Sequence, residues 1–220
     1  KDAGGSLTTN NRNAFVGSQA GASVTANDNA GFGYNALNAN TTGTQNTAVG
    51  SGAVRLTTTG NYNTGVGYQA LAQNTTSSQN TAVGAYALDA NTTAANNTAV
   101  GYNSLSANTT GTSNTGVGQA ALQTNTTAAN NTALGKSALA YNTTGDSNTA
   151  VGKDALGSNT TAAGNTAVGG LALSTNTTSG ENTAVGYASL EVNTGASNTA
   201  VGYSALDSNT TGTLNTAVGA

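Results

Sequence analysis

The sequence predicts an all-β chain wound as a parallel β-solenoid, a β-roll of about 12–13 coils. Three observations carry that expectation. The pentapeptide Asn-Thr-Ala-Val-Gly recurs along the chain, its period is 17 residues, and the composition is too poor in bulky side chains for a conventional core. Of 220 residues, 30 are Gly, 6% are charged and 5% aromatic, and Cys, His, Trp, Met and Pro are absent. Average soluble domains are about 25% charged. Disordered chains pair low hydrophobicity with high net charge, whereas the net charge here is −3. Repetition satisfies both constraints, because each unit buries its apolar side chains on the next.

The full pentapeptide starts at Asn46, Asn80, Asn97, Asn148, Asn165, Asn182, Asn198 and Asn215, with close variants at Asn63, Asn114 and Asn131 and degenerate ones at Asn13 and Asn29. Residues 13–220 thus form the repeat array, and residues 1–12 are expected to be an irregular N-terminal cap or junction. Lys1 in place of an initiator Met points to processing or to a cut from a longer chain. Seventeen residues are too few for a helical-hairpin repeat, and Thr, Val, Asn and Gly form helices poorly. Thr-Ala-Val reads as a strand closed by a Gly turn, and Tyr-x-Ala-Leu as a second, weaker strand. Stacked coils advance by the inter-strand spacing of about 4.8 Å.

Charged residues indicate which positions meet water. Counted from the Gly closing each pentapeptide, Lys136 and Lys153 lie one after it, Asp154 two after, and Arg55, Asp89, Glu191 and Asp207 five after. None falls on the Val position, or on the positions three and four after the Gly. Two apolar files are therefore expected to form the core. One is Val49, Val66, Val83, Val100, Val117, Val151, Val168, Val185 and Val201; the other is Leu71, Leu88, Leu105, Leu122, Leu139, Leu156, Leu173, Leu190 and Leu206. Two large apolar groups per coil contribute about 1.5–3 kcal/mol each, against an ordering cost near 1–2 kcal/mol per residue. A further buried face is needed, and the small residues Ala48, Ala82, Ala99 and Ala150 would let another chain approach. Self-association follows, as a homotrimer or an end-to-end filament.

The block Asn-Thr-Ala-Val-Gly-Tyr-x-Ala-Leu resembles the head repeats of trimeric autotransporter adhesins, and the repeats of phage tail fibres and related bacterial surface proteins. The resemblance covers residues 13–219. It implies a left-handed parallel β-roll, three chains side by side, and an adhesive or structural role outside the cell.

Two asparagine files run along the array. The pentapeptide file comprises Asn46, Asn63, Asn80, Asn97, Asn114, Asn131, Asn148, Asn165, Asn182, Asn198 and Asn215. Stacked amides are expected to bond along the axis as a ladder. The second file, Asn40, Asn74, Asn91, Asn108, Asn125, Asn142, Asn159, Asn176 and Asn209, opens Asn-Thr-Thr, which reads either as turn chemistry or as an N-glycosylation acceptor. The readings exclude each other, since a buried ladder amide carries no glycan. Asn96 and Asn130 are also acceptors by sequence.

Other function classes find less support. Without His or Cys the usual zinc, haem, iron–sulfur and Ser–His–Asp chemistries are missing, so no cofactor and no enzyme is expected. Glu191 and Asp207 fall one coil apart, close enough for a carboxylate pair, but no insertion builds a cleft around them. Five Lys+Arg make no nucleic-acid patch. No apolar run spans a membrane. Ice binding through ranked Thr is a weaker alternative, because adjacent pairs such as Thr92-Thr93 place only one side chain outward. The expectation is an extracellular or surface fibre segment serving as spacer, sheath or adhesin shaft. A surface receptor or glycan is its possible partner.

Overall fold

The computed structural model describes residues 3–5 and 12–219. It is a parallel β-solenoid of about twelve turns in which each pentapeptide supplies one three-residue strand. Most of the anticipated cap at residues 1–12 lies outside the described residues.

The chain forms two compact units, Lys1–Thr112 and Ser113–Ala220. The first contains β1 (Ala14–Val16), β2 (Ala30–Phe32), β3 (Thr47–Val49), β4 (Thr64–Val66), β5 (Thr81–Val83) and β6 (Thr98–Val100). The second contains β7 (Thr115–Val117), β8 (Thr132–Leu134), β9 (Thr149–Val151), β10 (Thr166–Val168), β11 (Thr183–Val185), β12 (Thr199–Val201) and β13 (Thr216–Val218). Within each unit, consecutive strands pair in parallel with like residues in register, as in Thr81↔Thr98, Ala82↔Ala99 and Val83↔Val100. The 16-residue coil from Asn182 to Asn198 keeps this register, with Thr183 opposite Thr199. Its missing residue is taken from the Asn-Thr-Thr turn, where Asn193 is followed by a single Thr.

Tyr-x-Ala-Leu is not a second strand. Tyr86 (φ 58°) and Leu88 (φ 51°) are both left-handed, as are their counterparts in other coils, and alternating left-handed residues cannot hold an extended strand. The segment is a run of turns. It still bonds to its neighbours, with Leu71 N–H donating to Ala87 O at 3.0 Å and Tyr86 N–H to Tyr68 O at 3.0 Å.

The core differs from expectation in one of its two files. Leu71, Leu88, Leu105, Leu122, Leu139, Leu156, Leu173 and Leu190 are fully buried, and Leu206 is half-buried. Val49, Val66, Val83, Val100, Val117, Val151, Val168, Val185 and Val201 face outward instead, half-buried or exposed. Successive strand residues point to opposite faces, so Thr and Val of each strand go out together and the Ala between them goes in. Ala48, Ala82, Ala99 and Ala150 are fully buried. They fill a narrow interior opposite Leu, and the face available to another chain is the Thr/Val face.

Polar groups make up the rest of the interior. Pentapeptide asparagines carry backbone and side chain across coils: Asn148 N–H donates to Asn131 Oδ1 at 2.9 Å, and Asn148 Nδ2 donates to Ala162 O at 2.8 Å. The Asn-Thr-Thr file stacks amide on amide, with Asn91 Nδ2 donating to Asn74 Oδ1 at 3.0 Å and Asn142 Nδ2 to Asn125 Oδ1 at 3.0 Å. In several coils both files meet on one carbonyl, although Asn165 Nδ2 is buried without a partner. Ala94 O accepts from Asn80 at 2.9 Å and from Asn91 at 3.0 Å. The first Thr of each Asn-Thr-Thr adds another tie, as where Thr143 Oγ1 donates to Thr160 O at 2.9 Å. A buried amide left unpaired costs more than a made bond gains, so these files specify the stacking register.

Candidate binding groove

The Asn-Thr-Thr asparagines are placed by this ladder. Asn40, Asn74, Asn91, Asn108, Asn125, Asn142, Asn159 and Asn176 are fully buried, and the half-buried Asn209 donates to Asn193 Oδ1 at 2.7 Å. A glycan would replace a hydrogen on an Nδ2 that is enclosed in the coil. Of the two readings left open for Asn-Thr-Thr, these buried and hydrogen-bonded amides match the turn-and-ladder one. Asn96 and Asn130 alone among the acceptor sequences noted are exposed.

Variation between coils concentrates on the outside of the turn segment. Counted again from the pentapeptide Gly, positions three and four are buried by the coil, whereas positions one, two, five and six carry the half-buried or exposed Tyr, Asn, Gln, Asp, Ser and Arg side chains, with Ala72, Ala140 and Ala188 the buried exceptions. Position two is left-handed, and with position five it helps border shallow, trough-like depressions on the turn segment. In the first unit, Tyr86, Asp89, Tyr102, Asn103, Ser106 and Ala107 line a depression of about 440 Å³. A smaller one of about 150 Å³ has the same construction from Tyr34, Asn35, Arg55, Tyr68 and Gln69. In the second unit, Ser137, Tyr141, Asp154 and Leu171 help line a depression of about 340 Å³.

Tyrosines in the first unit are ordered by mutual contact. The ring centroids of Tyr68 and Tyr86 lie 5.3 Å apart at 85°, and those of Tyr86 and Tyr102 6.3 Å apart at 80°. Gln69 Nε2 donates to the Tyr68 hydroxyl at 3.0 Å. Beside them Asp89 Oδ1 is buried without a hydrogen-bond partner. Burial raises the Asp89 carboxyl pKa from its ordinary value, and the backbone amides of Asp89 and Ala90 pull it partly back. Asn35 Oδ1, in the smaller depression, is likewise buried and unpartnered.

Glu191 and Asp207 occupy position five in adjacent coils, where Val192 N–H donates to Asp207 O at 3.3 Å. Among the described residues no group of three His, Cys, Asp or Glu is placed to hold a metal ion, and no helix is long and apolar enough to cross a membrane. The sequence reading missed the trough as a site. The signal was present in the repeat itself, since from Gly33 onward positions two and five vary while position three stays Ala or Ser and position four Leu or Val.

No family model, curated protein or solved structure matches this chain.

Proposed function

We propose that the chain is a non-catalytic structural fibre segment working outside the cell or virion, as a spacer, sheath or adhesin shaft. One observation supports this most: within each unit every coil docks on the next with like residues in register and no insertion breaks the stack. Such a segment resists local opening because each coil is clamped on both sides. The resemblance to autotransporter head repeats supports a side-by-side homotrimer, and the outward Val file offers the apolar face for it. Light scattering and electron microscopy of the purified chain test the reading. Trimers or filaments resistant to protease are expected, and a protease-sensitive monomer at micromolar concentration refutes it. Glycan decoration is confined to Asn96 and Asn130, which intact mass of native material reads.

Ice binding is the second reading, now on a different face from Thr92-Thr93. Thr81 and Val83 both point outward from β5, and Thr98 and Val100 repeat them in register. The ranks are about 4.8 Å apart and present hydroxyls and methyls without charge. Thermal hysteresis that is lost in Thr81→Tyr/Thr98→Tyr supports it; no hysteresis in the unaltered chain ends it.

A further inference from the structure

We propose that the depression bounded by Tyr86, Asp89, Tyr102, Asn103 and Ser106 is a binding site for neutral carbohydrate. A pyranose has an apolar C–H face and a rim of hydroxyls, each both donor and acceptor. The depression offers the complement. Tyr86 and Tyr102 stand nearly perpendicular, so a sugar meets the face of one ring and the edge of the other. Tyr68 packs on Tyr86 from the far side and is held by Gln69, which fixes the platform before any ligand arrives. Asp89 borders the depression and brings a carboxyl that accepts from sugar hydroxyls. Asn103 and Ser106 contribute groups that both donate and accept.

Charge selects the class of sugar. No Lys or Arg lines the depression, and its ionisable carboxyl is Asp89. Phosphorylated, sulfated and uronic-acid ligands are therefore repelled, and a neutral hexose or N-acetylhexosamine is accepted. The inference stands apart from the fibre reading, because it requires only the first unit's turn segment.

The test is an NMR titration of the full chain with neutral oligosaccharides of glucose, galactose, mannose and N-acetylglucosamine, beside sulfated and uronic-acid controls. We expect low-millimolar binding of at least one neutral oligosaccharide, with shifts centred on Tyr86 and Tyr102. Tyr102→Ala and Asp89→Ala should each weaken it about tenfold or more, while Thr93→Ala, exposed on the same coil outside the depression, leaves it unchanged. The Gln73 amide, bonded to Asp89 O in the neighbouring coil, reports that each variant keeps its stack; a variant that loses this signal is replaced by Tyr102→Leu, for which the same weakening is expected. The proposal is overturned if no neutral oligosaccharide shifts these rings, if anionic controls bind equally well, or if binding survives in the folded variants. A monomer in light scattering would remove the fibre reading without touching this result.

Discussion

Val54 fills the space into which a side chain at Gly65 would project: a Cβ on Gly65 would lie 2.6 Å from Val54 Cγ2. Most other coils pair Leu with Ala at these two positions, as Leu71 with Ala82 and Leu88 with Ala99, and one pairs Leu105 with Gly116. Val54 is also left-handed at φ 49°, where a β-branched residue is strained. Gly65→Ala alone should therefore destabilise by about 1–3 kcal/mol through overpacking. Val54→Leu/Gly65→Ala recreates the common pair and should match or exceed the parent. Denaturant unfolding of the four proteins gives the coupling, expected at about 1–2 kcal/mol; additive effects would show that the two residues do not share this space.

The glycine closing each pentapeptide is held by two constraints at once. Gly135 has φ 141°, and a Cβ there would lie 2.5 Å from Gly152 O in the next coil. Gly170 has neither restraint, since its Cβ would make only a 3.4 Å contact with the Tyr187 ring. Gly135→Ala is expected to cost about 3 kcal/mol or more, and Gly170→Ala to stay within about 0.5 kcal/mol. Thermal melts of the two variants check the difference, and equal melts would contradict the close stacking of the Gly file.

Ladder asparagines should distinguish a lost bond from a misplaced charge. Asn159 Nδ2 donates to Asn142 Oδ1 at 2.8 Å and to Ala162 O at 3.0 Å. Asn159→Ala removes both and is expected to cost about 1–3 kcal/mol. Asn159→Asp puts a buried carboxylate against those two acceptors, which raises its folded pKa. The protonated form is then favoured in the fold, so the penalty should grow as pH rises through the carboxylate range and shrink on acidification. Unfolding at acidic and neutral pH should show Asn159→Asp below Asn159→Ala only at neutral pH.

Period, strand position, the Leu file and the existence of the Asn files were legible because each depends on spacing alone. The orientation of Thr-Ala-Val was not. An uncharged position need not be a buried one: Val83 is exposed while Ala82 is buried. Absence of charge there reflects the β-branched preference of a sheet face, and lumen width decides which of two alternating sets goes in. A coil already holding Leu88, Asn80 and Asn91 has room for a methyl and not for an isopropyl group. Tyr-x-Ala-Leu misled for a related reason. Apolar alternation suggested a strand, but left-handed Leu88 is imposed by closing a 17-residue coil, which no local propensity reveals. The trough is a mixed case: variation at positions two and five is visible in the repeat, whereas the depressions they border form only once coils stack.

Solvent-facing left-handed residues offer a way to raise stability without touching either file. Gln79 is exposed at φ 63°, immediately before a pentapeptide Asn, and Gly164 fills the equivalent position in the second unit at φ 71°. Left-handed backbone costs a residue with a Cβ roughly 1–2 kcal/mol, partly offset by the greater chain entropy Gly loses on folding. Gln79→Gly should therefore gain a few tenths to about 1 kcal/mol, and Gly164→Gln should lose a similar amount. Opposite shifts of the denaturation midpoint would confirm the conformation at both sites, and a loss of stability in Gln79→Gly would contradict it.

Asp89 should bring a pH dependence of known sign. Its folded pKa is raised mainly by burial, so the protonated carboxyl is favoured in the fold and the penalty for ionisation is absent below the unfolded carboxylate range. As pH rises through the folded pKa, that penalty appears in full. The groups facing it are Tyr86, Tyr102, Asn103 and Ser106, and none is cationic. Asp89→Asn keeps the shape and removes the ionisation, so it should be more stable than the parent at neutral pH, with the advantage fading on acidification. Paired denaturant curves across acidic to neutral pH read this directly. A parent chain that is the more stable of the two at neutral pH would mean that the carboxylate is paired in solution, with the opposite sign of shift.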